Sequence, residues 1–130
     1  MTPDPGVPVR RVVLVEDDPT IRSVVEILLE LEPDLQLVAS APSAEEGIDI
    51  VHRERPDLLL LDNHLEGALT GLDAAPAFKR ASPGVVVLLC TALDLVEAAA
   101  VAPGVDGFLR KDRLAELPEV ARSLLEQSRR

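Results

Sequence analysis

Tryptophan and tyrosine are absent from this chain of 130 residues, and phenylalanine occurs only twice. Any core must therefore be aliphatic, built from Leu, Val, Ile and Ala, and an apolar content of 47% is enough to build one. A lone cysteine, Cys90, excludes an internal disulfide and fits a reducing cytoplasm. Set in an apolar run, it reads as a small buried strand residue. Cations are scarce: 13 Lys and Arg stand against 23 Asp and Glu, a formal net charge of −10. A nucleic-acid surface needs clustered Lys and Arg, so direct nucleic-acid binding by this chain is not expected. A cation site or a basic partner is compatible with the charge. No apolar run is long enough to span a bilayer and none has a signal-peptide pattern, so the expectation is a cytoplasmic protein with no membrane contact.

What is present is a regular alternation. A proline-rich leader, residues 1–10, precedes the apolar run Val12 to Val15. Asp18-Pro19 is a helix start, with Asp as the cap and Pro in the first turn. Ile21, Val24, Val25, Leu28 and Leu29 follow at helical spacing, and Pro33 ends them. Leu35 to Ala39 reads as a second strand. Ser43 and Glu46 occupy the two places of a capping box before a helix that Pro56 stops. Leu58 to Leu61 is a third strand, followed by a loop from Asn63 to Gly71. A third helix is predicted within Leu72 to Arg80, with Pro76 acceptable only in its first turn. Val85 to Leu89, a helix over Leu93 to Ala102, a strand over Val105 to Leu109, and a last helix with Pro118 in its first turn complete the chain. Strands alternating with helices imply one α/β domain, residues 11–130, whose parallel sheet has helices on both faces.

In such a sheet, ligands bind beyond the carboxyl ends of the strands. The first strand leaves Glu16, Asp17 and Asp18 there, and the third leaves Asp62. The fourth leaves Thr91 and the fifth leaves Lys111. Carboxylates brought together repel, and a hard divalent cation such as Mg2+, which takes oxygen ligands, relieves that repulsion. No Cys/His cluster suits zinc. A carboxylate can also act as a nucleophile toward a phosphoryl group, with a metal and a lysine offsetting the developing charge. Each residue alone has an ordinary alternative: Asp18 is a helix cap, Thr91 a turn residue, Lys111 a solvated charge, and His52 and His64 surface residues. Their joint occurrence in strand order is what points to a site.

Four stretches carry a resemblance to a known family: Val13 to Pro19, Pro56 to Asp62, Leu89 to Ala92, and Gly104 to Asp112. Together they resemble the receiver domain of two-component response regulators, over about Arg11 to Ser128. The resemblance implies a doubly wound, five-stranded parallel sheet in the order 2-1-3-4-5. It implies that Asp62 is phosphorylated by a partner histidine kinase or phosphotransfer protein. Glu16 and Asp17 match the family's acidic pair, and Asp17, Asp62 and the backbone carbonyl of His64 match its Mg2+ ligands. Thr91 and Lys111 match the residues that contact the phosphoryl group, and Phe108 stands at the aromatic switch position. The implied readout face is the fourth helix, fifth strand and fifth helix, and a phosphorylation-dependent homodimer is a possible output.

Departures are also visible. Leu65-Glu66-Gly67 replaces a common Leu-Pro-Gly, the stretch Ala68 to Thr70 is slightly long, and Asp112 follows the lysine where proline is common. The interval from Thr91 to Lys111 is short. The expectation is a phospho-accepting signalling switch and not a metabolic enzyme, acting alone or as the receiver of a DNA-binding regulator. The alternatives are a phosphorylation-independent interaction module on the same fold, and a Mg2+-dependent phosphohydrolase using Asp62.

Overall fold

The computed structural model describes residues 6, 8–91 and 96–128. Within them five parallel strands form one sheet, β1 (Arg10–Val15), β2 (Leu35–Ala41), β3 (Leu58–Asp62), β4 (Val86–Thr91) and β5 (Gly107–Arg110), in the order 2-1-3-4-5. The helices are α1 (Pro19–Glu30), α2 (Ala44–Glu54), α3 (Gly71–Ala81), α4 (Val96–Val101) and α5 (Leu117–Ser128), with a 3₁₀ stretch, Lys111–Glu116, before the last. The expected α/β order is thus observed. Of the leader, residues 1–5 and 7 lie outside the described residues, as does the expected start of the fourth helix at Leu93. Arg10 already belongs to β1: it pairs with Leu35, and its N–H donates to the Asp34 carbonyl at 2.9 Å.

The four leucines of β3 explain why the sheet is covered on both sides. Side chains alternate faces along a strand. Leu58 and Leu60 therefore join Val12, Leu14, Leu88 and Cys90 in a core under α1 and α5. Leu59 and Leu61 join Val13, Val15, Val87 and Leu89 in a second core under α2 and α3. All four leucines are fully buried. This two-sided burial is why the strand reads as a continuous apolar run and not an alternating one. The second layer also takes Phe78, the one fully buried aromatic side chain.

Local signals set most helix starts. Asp18 Oδ1 accepts from Thr20 N–H at 2.8 Å, with Pro19 opening α1. Ser43 Oγ accepts from Glu46 N–H at 3.2 Å at the head of α2. Thr70 Oγ1 accepts from Asp73 N–H at 3.1 Å, so α3 starts at Gly71, earlier than predicted. Pro76 then falls inside α3, beyond the first turn. That expectation was wrong because burial of Ala74, Ala75 and Phe78 against the sheet offsets an interior proline's cost of about 3 kcal/mol.

The fifth strand also starts later than predicted, at Gly107 and not Val105. Asp106 is used as a clasp. Its N–H donates to the Val87 carbonyl at 2.9 Å, and its Oδ2 accepts from Val87 N–H at 2.8 Å and from Lys79 Nζ at 2.5 Å. Lys79 Nζ also donates to the Val85 carbonyl at 2.5 Å. The clasp ties the entry of β5 to β4 and α3, and so aligns the strand that leads into Lys111. Asp106→Ala is expected to lower the unfolding free energy in urea by about 1–2 kcal/mol, reduced from a buried charged bond by the partial exposure of the pair.

Candidate functional site

Strand parity places the acids. Glu16 follows β1 with the parity of Val12 and Leu14, and Asp62 ends β3 with the parity of Leu58 and Leu60. Since β1 and β3 are neighbours, paired through Val15↔Leu61, the two carboxylates meet at the same sheet edge. Asp17 joins them: carboxylate oxygens of Glu16, Asp17 and Asp62 all lie within 4.8 Å of one another. Glu16 and Asp62 are buried and Asp17 is half-buried. Asp18 stays with its helix-capping role, its N–H donating to Glu16 Oε2 at 3.3 Å.

Lys111 reaches this cluster from the end of β5. Its ammonium lies 2.8 Å from Glu16 Oε1 and 3.1 Å from Asp62 Oδ2, with the lysine side chain only 15% exposed. The contact to Asp62 is an ion pair and not an aligned hydrogen bond. Neither Asp62 oxygen has a hydrogen-bond partner among the described residues, although the residue is 2% exposed. Thr91 ends β4 beside this edge, buried, with its Cα paired to Arg110. Phe108 lies on β5 and faces outward, 36% exposed. His64 is exposed. Every residue named from the sequence for the acid cluster and its lysine is therefore brought to one edge.

Burial, and next the Asp62 carboxyl beside it, push Glu16 up to about 7, against the opposing pull of Lys111. Burial by itself would lower the Lys111 ammonium, yet contact with Glu16 and Asp62 raises it above its ordinary value. Burial, then the charges of Asp62 and Glu16, push the Cys90 thiol up to about 12. Cys90 pairs with Asp62 across β3 and β4 and is a packed, unreactive neighbour. Three carboxylates sharing one ammonium leave an excess of negative charge and open oxygen lone pairs. That donor set fits a hard divalent cation and offers nothing to a soft one.

One residue of the site escaped the sequence reading. Asn63, directly after Asp62, is 7% exposed, and its side chain binds the head of α3. An Asn next to the acid and a Thr-Gly pair before the next helix were the only signals for it.

A doubly wound α/β domain with an acid cluster and a buried lysine beyond its strand ends defines a class of phosphoryl- or cation-handling domains. Within that class the chain belongs to the response regulator receiver domain family, whose model matches residues 12–122. It is 35% identical over 104 residues to the nitrate/nitrite response regulator protein NarP of Escherichia coli, covering 78% of this chain and 48% of NarP. It is 30% identical over 110 residues to a protein-glutamate methylesterase/protein-glutamine glutaminase of Nitrosospira multiformis, covering 85% of this chain and 30% of that protein. The signal receiver domain of the response regulator NarL from Mycobacterium tuberculosis superposes with a TM-score of 0.79 at 28% identity, over 94% of this chain and 98% of that one. The chain thus spans about half the length of NarP and about a third of the methylesterase.

The raised Glu16 predicts a pH dependence. Between its ordinary value of 4.5 and about 7 the folded state holds a proton that the unfolded state has released. Stability of the cation-free domain from this group therefore falls as pH rises through that window and levels off above it. Urea unfolding in a chelator from pH 5 to pH 8 should show wild type losing stability relative to Glu16→Gln.

Proposed function

We propose that this domain is a phosphorylation switch in which Asp62 accepts a phosphoryl group from the phosphohistidine of a sensor histidine kinase or a phosphotransfer protein. The carrying observation is the Asp62 carboxylate: it is buried, without an aligned hydrogen bond on either oxygen among the described residues, and 3.1 Å from Lys111. A structural aspartate at that depth has its lone pairs occupied. One with them open beside a fixed ammonium is suited to attack. An Asp62 oxygen attacks phosphorus, the bond from phosphorus to the donor imidazole nitrogen breaks, and an acyl phosphate forms on Asp62. Lys111 stays within reach of the transferred oxygens and offsets their charge. Thr91 is assigned the second contact to a phosphoryl oxygen.

Mg2+ is assigned to Asp17, Asp62 and the backbone carbonyl of His64, with Glu16 as the neighbouring acid that completes the charge. When bound, it offsets charge on the phosphoryl oxygens during transfer. Phe108 is assigned the switch: outward in the structure, it turns inward as Thr91 moves to the phosphoryl group, altering the surface of α4, β5 and α5. That surface would then change partners, including a second copy of the chain. The domain's own chemistry is limited to self-catalysed phosphotransfer and dephosphorylation, in the cytoplasm. The described residues contain no helix long and apolar enough to cross a membrane. Whether a DNA-binding or an enzymatic segment reads the switch belongs to the whole protein. The reading as a phosphorylation-independent module is not favoured, because the acids, the hydroxyl and the lysine are all present.

The test is an NMR titration of the chain with beryllium fluoride, a phosphoryl mimic, in Mg2+. Resonances of Thr91, Phe108 and Lys111 are expected to shift in wild type and to stay in place in Asp62→Asn. Shifts that persist in the variant, or none in wild type, would contradict the proposal.

A further inference from the structure

Asn63 leads the chain out of the acceptor, and both of its oxygens face the same way. Its backbone carbonyl accepts from Gly71 N–H at 3.0 Å. Its side-chain Oδ1 accepts from Leu72 N–H at 3.0 Å. These are the first two N–H groups of α3, which no carbonyl inside the helix can reach. The nine-residue loop from 63 to 71 is therefore closed on itself at its base. The closure is tight: a Cβ on Gly71 would stand 2.2 Å from the Asp62 carbonyl oxygen and 3.0 Å from the Asn63 Cα, so only glycine fits there. Farther out, Glu66 bridges to Ser43 at the head of α2, and Gly67, at a φ of 91°, lies against the Glu45 carboxylate.

We propose that Asn63 is a positioning residue for the acidic site, fixing the peptide that carries Asp62 into the loop and thereby setting the site's affinity for a divalent cation. This rests on the reading of Glu16, Asp17 and Asp62 as a metal site. Among the described residues the Asp62 side chain meets the Lys111 ammonium as an ion pair but makes no aligned hydrogen bond. Its direction is therefore governed by its own backbone, which α3 grips through Asn63 and Gly71. Mg2+ tolerates little departure from octahedral geometry, so loosening that grip reaches the ion. The choice of residue follows from charge. Aspartate at 63 would supply the same acceptor oxygen but add another carboxylate to a site already rich in them. Leucine would leave Leu72 N–H without its acceptor. Asparagine supplies the oxygen without the charge.

The test is isothermal titration of MgCl2 into the full chain, with folding checked by circular dichroism. Asn63→Leu is expected to weaken Mg2+ binding about tenfold, the scale of losing a group that orients a metal ligand. Leu72→Pro deletes the donor of the same bond in the first turn of α3, where proline is tolerated, and should weaken binding similarly. It keeps the idea testable if Asn63→Leu does not fold. Leu125→Ala, buried on α5 among the first core layer, should lower the melting temperature while leaving Mg2+ affinity unchanged. Wild-type affinity in folded Asn63→Leu or folded Leu72→Pro, or equal weakening in Leu125→Ala, would overturn the assignment. Absence of Mg2+ binding by wild type would instead overturn the metal site itself, a separate and recognisable result.

Discussion

The Lys111 ammonium, shared between Glu16 and Asp62 at 2.8 and 3.1 Å, is the contact on which the rest of the site depends. Two carboxylates almost without solvent at the end of adjacent strands repel strongly in a medium less polar than water. One buried cation makes their proximity tolerable. The topology allows this. With the order 2-1-3-4-5, β1 and β3 set the acids side by side, and the lysine arrives over β4 from β5. The Asp106 clasp matters for the same reason, since it seats β5 on β4 ahead of the lysine.

The compensation is incomplete, and that incompleteness is chemically useful. Three carboxylates face one ammonium, Glu16 is pushed toward neutrality, and Asp62 keeps unsatisfied oxygens in a buried setting. A chain selected only for stability would fill those lone pairs or replace the group. The surrounding structure, two aliphatic cores sandwiching the sheet, is well satisfied and holds the open site rigidly. The loop leaving Asp62 is gripped too, by its closure onto α3 and its bridge to the head of α2.

Much of this was legible in the order of residues. The run Leu58 to Leu61 is apolar at every position because parity sends its side chains to two different cores. Its terminal Asp62 was placed by the same period. Asp18-Pro19 and Ser43 with Glu46 announced their helices because capping is local chemistry. What escaped was long-range. The bond from Asn63 to Leu72, and the use of Asp106 to bind Val87 and Lys79, join residues that no local pattern relates. Pro76, acceptable by local rule only in a first turn, sits inside α3 because packing of Phe78 and its neighbours overrides that rule. In the loop after Asp62, Glu66 stands where a proline is common. The structure holds that loop by hydrogen bonds that a glycine makes room for.

The most direct measurement is the intact mass of the chain after incubation with acetyl phosphate. With Mg2+, wild type should gain one phosphoryl group that hydroxylamine removes, as an acyl phosphate requires. The gain should vanish without Mg2+ and in Asp62→Ala. An unmodified wild type, or a modified Asp62→Ala, would contradict the assignment of Asp62 as the acceptor.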